Sequence, residues 1–182
     1  KTVGIIGLGR IGALVAERLA GFGVRLLGFD PYVQPARASQ MGIELTTLED
    51  LMKQSDFISI HIPKTPETAG MIGLEELKSA KASLRIVNAS RGGIIDEDAL
   101  HTALSEGWIA GAGLDVFVSE PPKDSPLLGL PNIVVTPHLG ASTEEAQEKA
   151  GISVARSVKL ALEGELVPDA VNVAGGIIDP SV

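Results

Sequence analysis

The stretch Gly4-Ile-Ile-Gly-Leu-Gly-Arg-Ile-Gly12, GIIGLGRIG, decides how the rest of the chain is read. An apolar run of strand length leads into it, and the residues after it carry a helical pattern. Between them Gly7, Gly9 and Gly12 stand in a G-x-G-x-x-G spacing. In that context the three glycines do different things. Gly7 permits a tight turn, Gly9 lets backbone approach a pyrophosphate, and Gly12 allows close packing of helix on strand. The N–H groups at the start of the helix would then hold the phosphates. A bare G-x-G-x-x-G also fits an ordinary glycine-rich turn, so its surroundings must decide.

The next strand-like run, VRLLGF (24–29), ends at Asp30, 18 residues after Gly12. An acidic residue at that distance accepts hydrogen bonds from the adenosine ribose and repels a 2′-phosphate. The nearest basic residue that follows is Arg37. The expected cofactor is therefore NAD rather than NADP.

Apolar runs recur at 2–7, 24–29, 56–62, 84–88, 109–117 and 132–136, with helical segments between most of them. This alternation predicts an α/β domain with a Rossmann-like, doubly wound parallel sheet. Asp96 is placed to cap a helix through Leu100 and Leu104, with Gly107 at its end, and Thr47 with Asp50 offers a second start. Ser142 with Glu145 forms a capping box before a helix at about 143–163. Ala146, Ala150, Val154, Val158 and Leu162 give that helix an apolar stripe. The segment 120–131, with four prolines, reads as a structured loop.

The 182 residues are 45% apolar with only six aromatics, a mixture that suits strands buried on both faces. Net charge is −8, from 23 acidic and 15 basic residues, which argues against a nucleic-acid partner. There is no cysteine and the three histidines are far apart, so no metal site is expected. No apolar run approaches the roughly 18 residues of a membrane span. A cytoplasmic protein with no membrane partner is expected.

In open parallel sheets ligands bind beyond the carboxyl ends of the strands. There the sequence places Ala89, Ser90 and Arg91, then Glu120, then His138 and Gly140. For a hydride-transfer enzyme, His138 would take the hydroxyl proton, Glu120 would bond its other ring nitrogen, and Arg91 would grip a carboxylate in a bidentate fork. The expected substrate is a small 2-hydroxy acid. Singly, each residue is as easily a surface or ion-pairing group; their joint placement at three strand ends carries the reading. His61 is expected in a cofactor-pocket or structural role, and His101 on a helix surface. Asp115 lies in an apolar strand, and a nicotinamide carboxamide or an internal backbone N–H would equally satisfy it.

The segments VGIIGLGRIG, DFISIHIPKTPETAGMI, IVNASRGGIIDEDAL, GAGLDVFVSEPP and VTPHLGAST resemble the nucleotide-binding domain of the D-isomer-specific 2-hydroxyacid dehydrogenases. The resemblance covers almost the whole chain. It implies that Arg91, Glu120 and His138 are catalytic. It also implies cofactor contacts at Arg10 and Ile11, Asp30, Pro63 and Thr65, Ala89 to Arg91, Asp115, and His138 to Ala141. Segments TPHLGASTEEAQ and VPDAVNV are similar to members that act on 3-phosphoglycerate in serine biosynthesis. Members acting on lactate, glycerate or glyoxylate, and the NAD-sensing corepressors that resemble the family, are the alternatives. Ser83 stands where the family commonly has a turn glycine, and Arg85 is a charge within a strand.

Lys1 opens directly on a strand, and the family's substrate-binding domain has no counterpart here. The expectation is an NAD-binding domain, 1–166, excised from a larger parent, with 167–182 starting a return segment. Such a piece is expected to be inactive or weakly active alone. The long striped helix and the unpartnered tail suggest a homo-oligomeric parent.

Overall fold

The structure is a computed structural model and describes residues 1–170. Seven strands, β1 (Thr2–Ile6), β2 (Arg25–Phe29), β3 (Ile43–Leu45), β4 (Phe57–Ile60), β5 (Arg85–Asn88), β6 (Gly111–Leu114) and β7 (Ile133–Val135), form one sheet. All neighbours pair in parallel, in the order β3-β2-β1-β4-β5-β6-β7. The order runs outward from β1 in both directions, so the winding switches between β1 and β4. A crevice for a ligand opens at such a point.

The helices are α1 (Arg10–Ala20), α2 (Pro35–Gln40), α3 (Leu48–Gln54), α4 (Leu74–Ser79), α5 (Glu97–Ser105) and α6 (Glu144–Leu162), with a 3₁₀ turn at Pro126–Gly129 inside the proline-rich loop. One compact unit spans Lys1–His138, and a second begins at Leu139 and contains α6.

Adjacent residues of β1 enter different cores, because side chains alternate across a sheet. Ile6 joins Leu27, Ile58, Ile60, Ile86 and Leu100 in the larger cluster, while Ile5 joins Leu8, Ala16, Leu26 and Ile43 in the smaller. Every residue in both sets is at least nine-tenths buried. The expectation of burial on both faces holds for the β1 side of the sheet only. Register places Phe57, Val87 and Val134 on the same face as Val3 and Ile5, yet these three are 40%, 43% and 71% exposed.

Six strands follow the expected runs, each slightly shorter. The seventh, β3, has only three residues, too few for a periodic signal. The α5 cap forms as anticipated: the Asp96 carboxylate accepts the Ala99 N–H at 2.8 Å. Asp96→Ala should lower stability by about 1 kcal/mol, read as a reduced urea midpoint with unchanged slope. Thr47 caps α3 through the Asp50 N–H at 3.1 Å. The start of α6 requires a correction: Thr143, not Ser142, is the cap, accepting the Ala146 N–H at 3.2 Å. Ser142 instead donates its N–H to the Leu139 carbonyl in the preceding turn.

Ser83 needs no glycine, since His138 alone among the described non-glycine residues has positive φ. Its turn is closed by the Leu84 N–H on the Lys81 carbonyl at 2.9 Å. Arg85 is the exposed first residue of β5 and donates to the Ser83 carbonyl. On α6 no residue is buried, and Val154, Val158 and Leu162 are all exposed. Residues 171–182 of the expected return segment lie outside the described residues.

Candidate active site

The glycine loop leaves β1 at the switch point. Gly7 has φ +91°, and a Cβ there would come within 2.5 Å of the His61 carbonyl oxygen. A Cβ on Gly12 would lie 1.9 Å from the Gly7 carbonyl oxygen, so α1 can begin this close to the strand only because residue 12 has no side chain. A Cβ on Gly9 would meet nothing within 4 Å, and no side chain caps α1. The start of the helix, with Arg10 and Ile11 exposed, is therefore open to a ligand's phosphates. A cleft of about 550 Å³ beside it is lined by Leu8, Gly9, Asp30, Tyr32, Gln34 and Arg37. One carboxylate and an open glycine at a helix N-terminus fit the adenosine half of a dinucleotide.

Beyond β4, the Thr68 hydroxyl accepts the Thr65 N–H at 2.8 Å and donates to the Pro63 carbonyl at 2.7 Å, which closes the turn that carries Pro63 and Thr65. His61 lies at the same strand end, half-buried, with Nε2 2.8 Å from the Ser59 hydroxyl. Burial holds its imidazole below the ordinary histidine value. His101 is half-buried on α5.

Beyond β5, buried Asn88 builds the turn that presents Arg91. Its side-chain oxygen accepts the Ser90 N–H at 3.0 Å and the Ser90 hydroxyl at 2.8 Å, and its amide donates to the Arg91 carbonyl at 2.9 Å. Gly92 presses this turn against the next one, since a Cβ there would lie 1.9 Å from the Phe117 carbonyl oxygen. Ala89 and Arg91 are exposed, and the Arg91 guanidinium donates to the Ser90 carbonyl at 2.6 Å.

Glu120 and His138 meet. His138 Nδ1 is 2.8 Å from one oxygen of Glu120, whose other oxygen accepts the Phe117 N–H at 3.0 Å. With Nδ1 bonded to the carboxylate, Nε2 is the nitrogen left for a substrate proton. His138 has φ +58°, an uncommon conformation for a residue with a side chain. A cavity of about 300 Å³ is lined by Asp115, Phe117, Glu120, Thr136, Pro137 and His138. Asp115 is 8% exposed and accepts the Thr136 hydroxyl.

The structure thus joins Glu120, His138 and Asp115 around one cavity. Arg91 lies two strand ends from β7 and makes no hydrogen bond or ion pair with Glu120 or His138. Gly140 and Ala141 belong to the second compact unit, in the turn closed by Ser142 on Leu139. Among the described residues no group of three or more His, Asp or Glu is placed to hold a metal ion, and no helix is long and apolar enough to cross a membrane. Sequence reasoning missed Asn88 and Thr136. Each is a polar residue at the end of an apolar strand, the signal that singled out Asp115.

The hydrogen bond from His138 holds the Glu120 carboxyl below its ordinary value, helped by the Phe117 N–H and opposed by partial burial and by Asp115. A depressed carboxyl stabilises the fold above its unfolded value of about 4.3, and that contribution is lost as pH falls through the folded value. His61, also depressed, contributes stability that is lost as pH falls below about 6.5. Glu120→Gln should therefore flatten the acid side of a stability–pH curve below about pH 4.3. His61→Gln should flatten it just below about pH 6.5. Denaturant midpoints measured between neutral and acid pH check both.

Residues 1–140 match the family described as D-isomer specific 2-hydroxyacid dehydrogenase, NAD binding domain. The chain belongs to that family, and the part it represents binds NAD. It is 60% identical over all 182 residues to D-3-phosphoglycerate dehydrogenase of Mycobacterium bovis, covering 34% of that protein. Among solved structures, D-lactate dehydrogenase with NAD⁺ from Lactobacillus jensenii superposes with a TM-score of 0.85 at 28% identity, over 98% of this chain and 56% of that one. An acyclic imino acid reductase in complex with NADPH and D-Arg gives 0.83 at 35% identity, over 92% and 52%. The chain spans about a third of the length of the D-3-phosphoglycerate dehydrogenases it matches.

Proposed function

We propose that the chain is the cofactor-binding part of a D-3-phosphoglycerate dehydrogenase, which oxidises 3-phosphoglycerate to 3-phosphohydroxypyruvate at the start of serine biosynthesis. The observation that carries the chemistry is the 2.8 Å contact of Glu120 with His138 Nδ1 on the edge that also holds the glycine loop. The substrate assignment rests on 60% identity to enzymes of that name.

NAD supplies, when bound, the two-electron acceptor for the substrate's C–H bond. Gly7 to Gly12 hold its pyrophosphate, Asp30 its ribose, Pro63 and Thr65 flank its adenosine half, and Ala89, Ser90, Arg91, Asp115, His138, Gly140 and Ala141 complete the cofactor contacts. Arg91 pairs with the substrate carboxylate. His138 Nε2 takes the hydroxyl proton, and Glu120 stabilises the resulting imidazolium through Nδ1–H. Thr136 steadies Asp115 beside it. Asn88→Ala would leave the Arg91 turn without three hydrogen bonds and should raise KM for substrate about tenfold or more, measured in the full-length enzyme.

The same reading takes 1–166 as the NAD-binding domain and 167–182 as the start of a return segment. It takes the protein to be cytoplasmic and the full-length enzyme to be a homo-oligomer. The exposed apolar residues of α6 support oligomerisation, which sedimentation of the full-length enzyme tests. The test of function is NADH formation by the full-length enzyme with 3-phosphoglycerate, D-lactate and D-glycerate, and oxidation of NADH with glyoxylate. Preference for 3-phosphoglycerate is expected. Preference for another acid would move the protein to a sister activity, and no turnover beside tight NADH binding would make it a sensor.

A further inference from the structure

The end of β2 grips the glycine loop at three successive residues. A Cβ on Gly28 would lie 2.9 Å from the Leu8 side chain, so bare backbone at 28 makes room for Leu8, which is 1% exposed. The Phe29 carbonyl accepts the Gly7 N–H at 2.9 Å. One oxygen of Asp30 accepts the Leu8 N–H at 2.8 Å, and the other accepts the Tyr32 N–H at 2.9 Å.

An ionised carboxylate offers about four acceptor positions, and two are used here within the chain. Leu8 lies between Gly7 and Gly9, so its N–H belongs to the very segment that approaches a pyrophosphate. A backbone N–H held by a carboxylate makes a strong, charge-assisted bond. The acceptor the structure gives the Leu8 N–H is the Asp30 carboxylate, which reaches it from the end of the neighbouring strand.

We propose that Asp30 is a positioning residue for the phosphate loop as well as the acceptor for the ribose, so that one carboxylate serves both the ribose and the pyrophosphate of the cofactor. The inference depends on the cofactor only and is independent of the substrate. It separates two effects of losing the acid. Ligands without ribose hydroxyls feel only the loss of loop order.

The experiment titrates ADP and 2′,3′-dideoxy-ADP into the chain and its Asp30→Asn variant by calorimetry. An asparagine keeps one acceptor oxygen and turns an NH₂ toward one of the two N–H groups. Both ligands are expected to bind the variant more weakly, dideoxy-ADP by about tenfold. Equal affinity of both proteins for dideoxy-ADP would confine Asp30 to the ribose and overturn the proposal. A second measurement needs neither variant nor ligand. In the wild-type chain the Leu8 amide should exchange with solvent at least about a hundredfold more slowly than an unstructured amide. Exchange at the unstructured rate would overturn the proposal even if Asp30→Asn failed to fold or ADP failed to bind.

Discussion

His138→Asn in the full-length enzyme is expected to lower kcat for 3-phosphoglycerate by about 10²- to 10⁴-fold, the range supplied by a positioned acid–base group. Asparagine can still occupy the loop, but it cannot accept the hydroxyl proton near neutral pH. The loss should fall on kcat far more than on NADH affinity, because His138 is one of many cofactor contacts and the glycine loop and Asp30 lie at other strand ends. Steady-state kinetics with an independent NADH titration separate the two. Substantial turnover by the variant would remove His138 from the chemistry. Glu120→Gln should lose less, since it leaves Nε2 in place and removes only the charge behind Nδ1.

Gly12→Ala should have the largest effect on cofactor binding. The added Cβ would lie 1.9 Å from the backbone oxygen of Gly7, where no flexible side chain can give way. Either α1 moves off the strand or the loop is displaced by about 1 Å. A displacement of that size in a binding constellation costs about a hundredfold, and the overpacking itself costs about 1–3 kcal/mol. NADH affinity and the urea midpoint should fall together. Gly9→Ala, where a Cβ meets nothing within 4 Å, should leave stability nearly unchanged while still weakening the cofactor. Normal NADH binding by Gly12→Ala would mean that the loop does not hold the phosphates.

Most of this site could be read from sequence because its parts sit at strand ends, and strands buried in an α/β core announce themselves as apolar runs. The glycine loop, Asp30 and the pairing of Glu120 with His138 follow from that rule. Asn88 and Thr136 escaped because their work is done on neighbours, the Arg91 turn for Asn88 and the Asp115 carboxylate for Thr136, and a polar residue at a strand end does not show by its position which neighbour it holds. The loop function of Asp30 escaped for the same reason, since nothing in composition says that the Leu8 N–H points at it. The short strand β3 has too few residues for a pattern. Val87 and Val134 depart from expectation because, within the first compact unit, the helices on their face pack elsewhere: α1 on β1 and β2, and α2 on β3.

If Gly7 to Gly12 and Asp30 form a site for NAD that rejects a 2′-phosphate, NADH and not NADPH stabilises the fold. Thermal unfolding of the 182-residue chain with NADH or NADPH tests it most directly, because a ligand that binds only the folded state adds RT ln(1 + [L]/Kd) to stability. At a hundredfold excess over Kd, NADH should add about 2.7 kcal/mol and raise Tm by about 5–10 °C, while NADPH at the same concentration leaves Tm unchanged. Equal stabilisation by both, or by neither, would contradict the account.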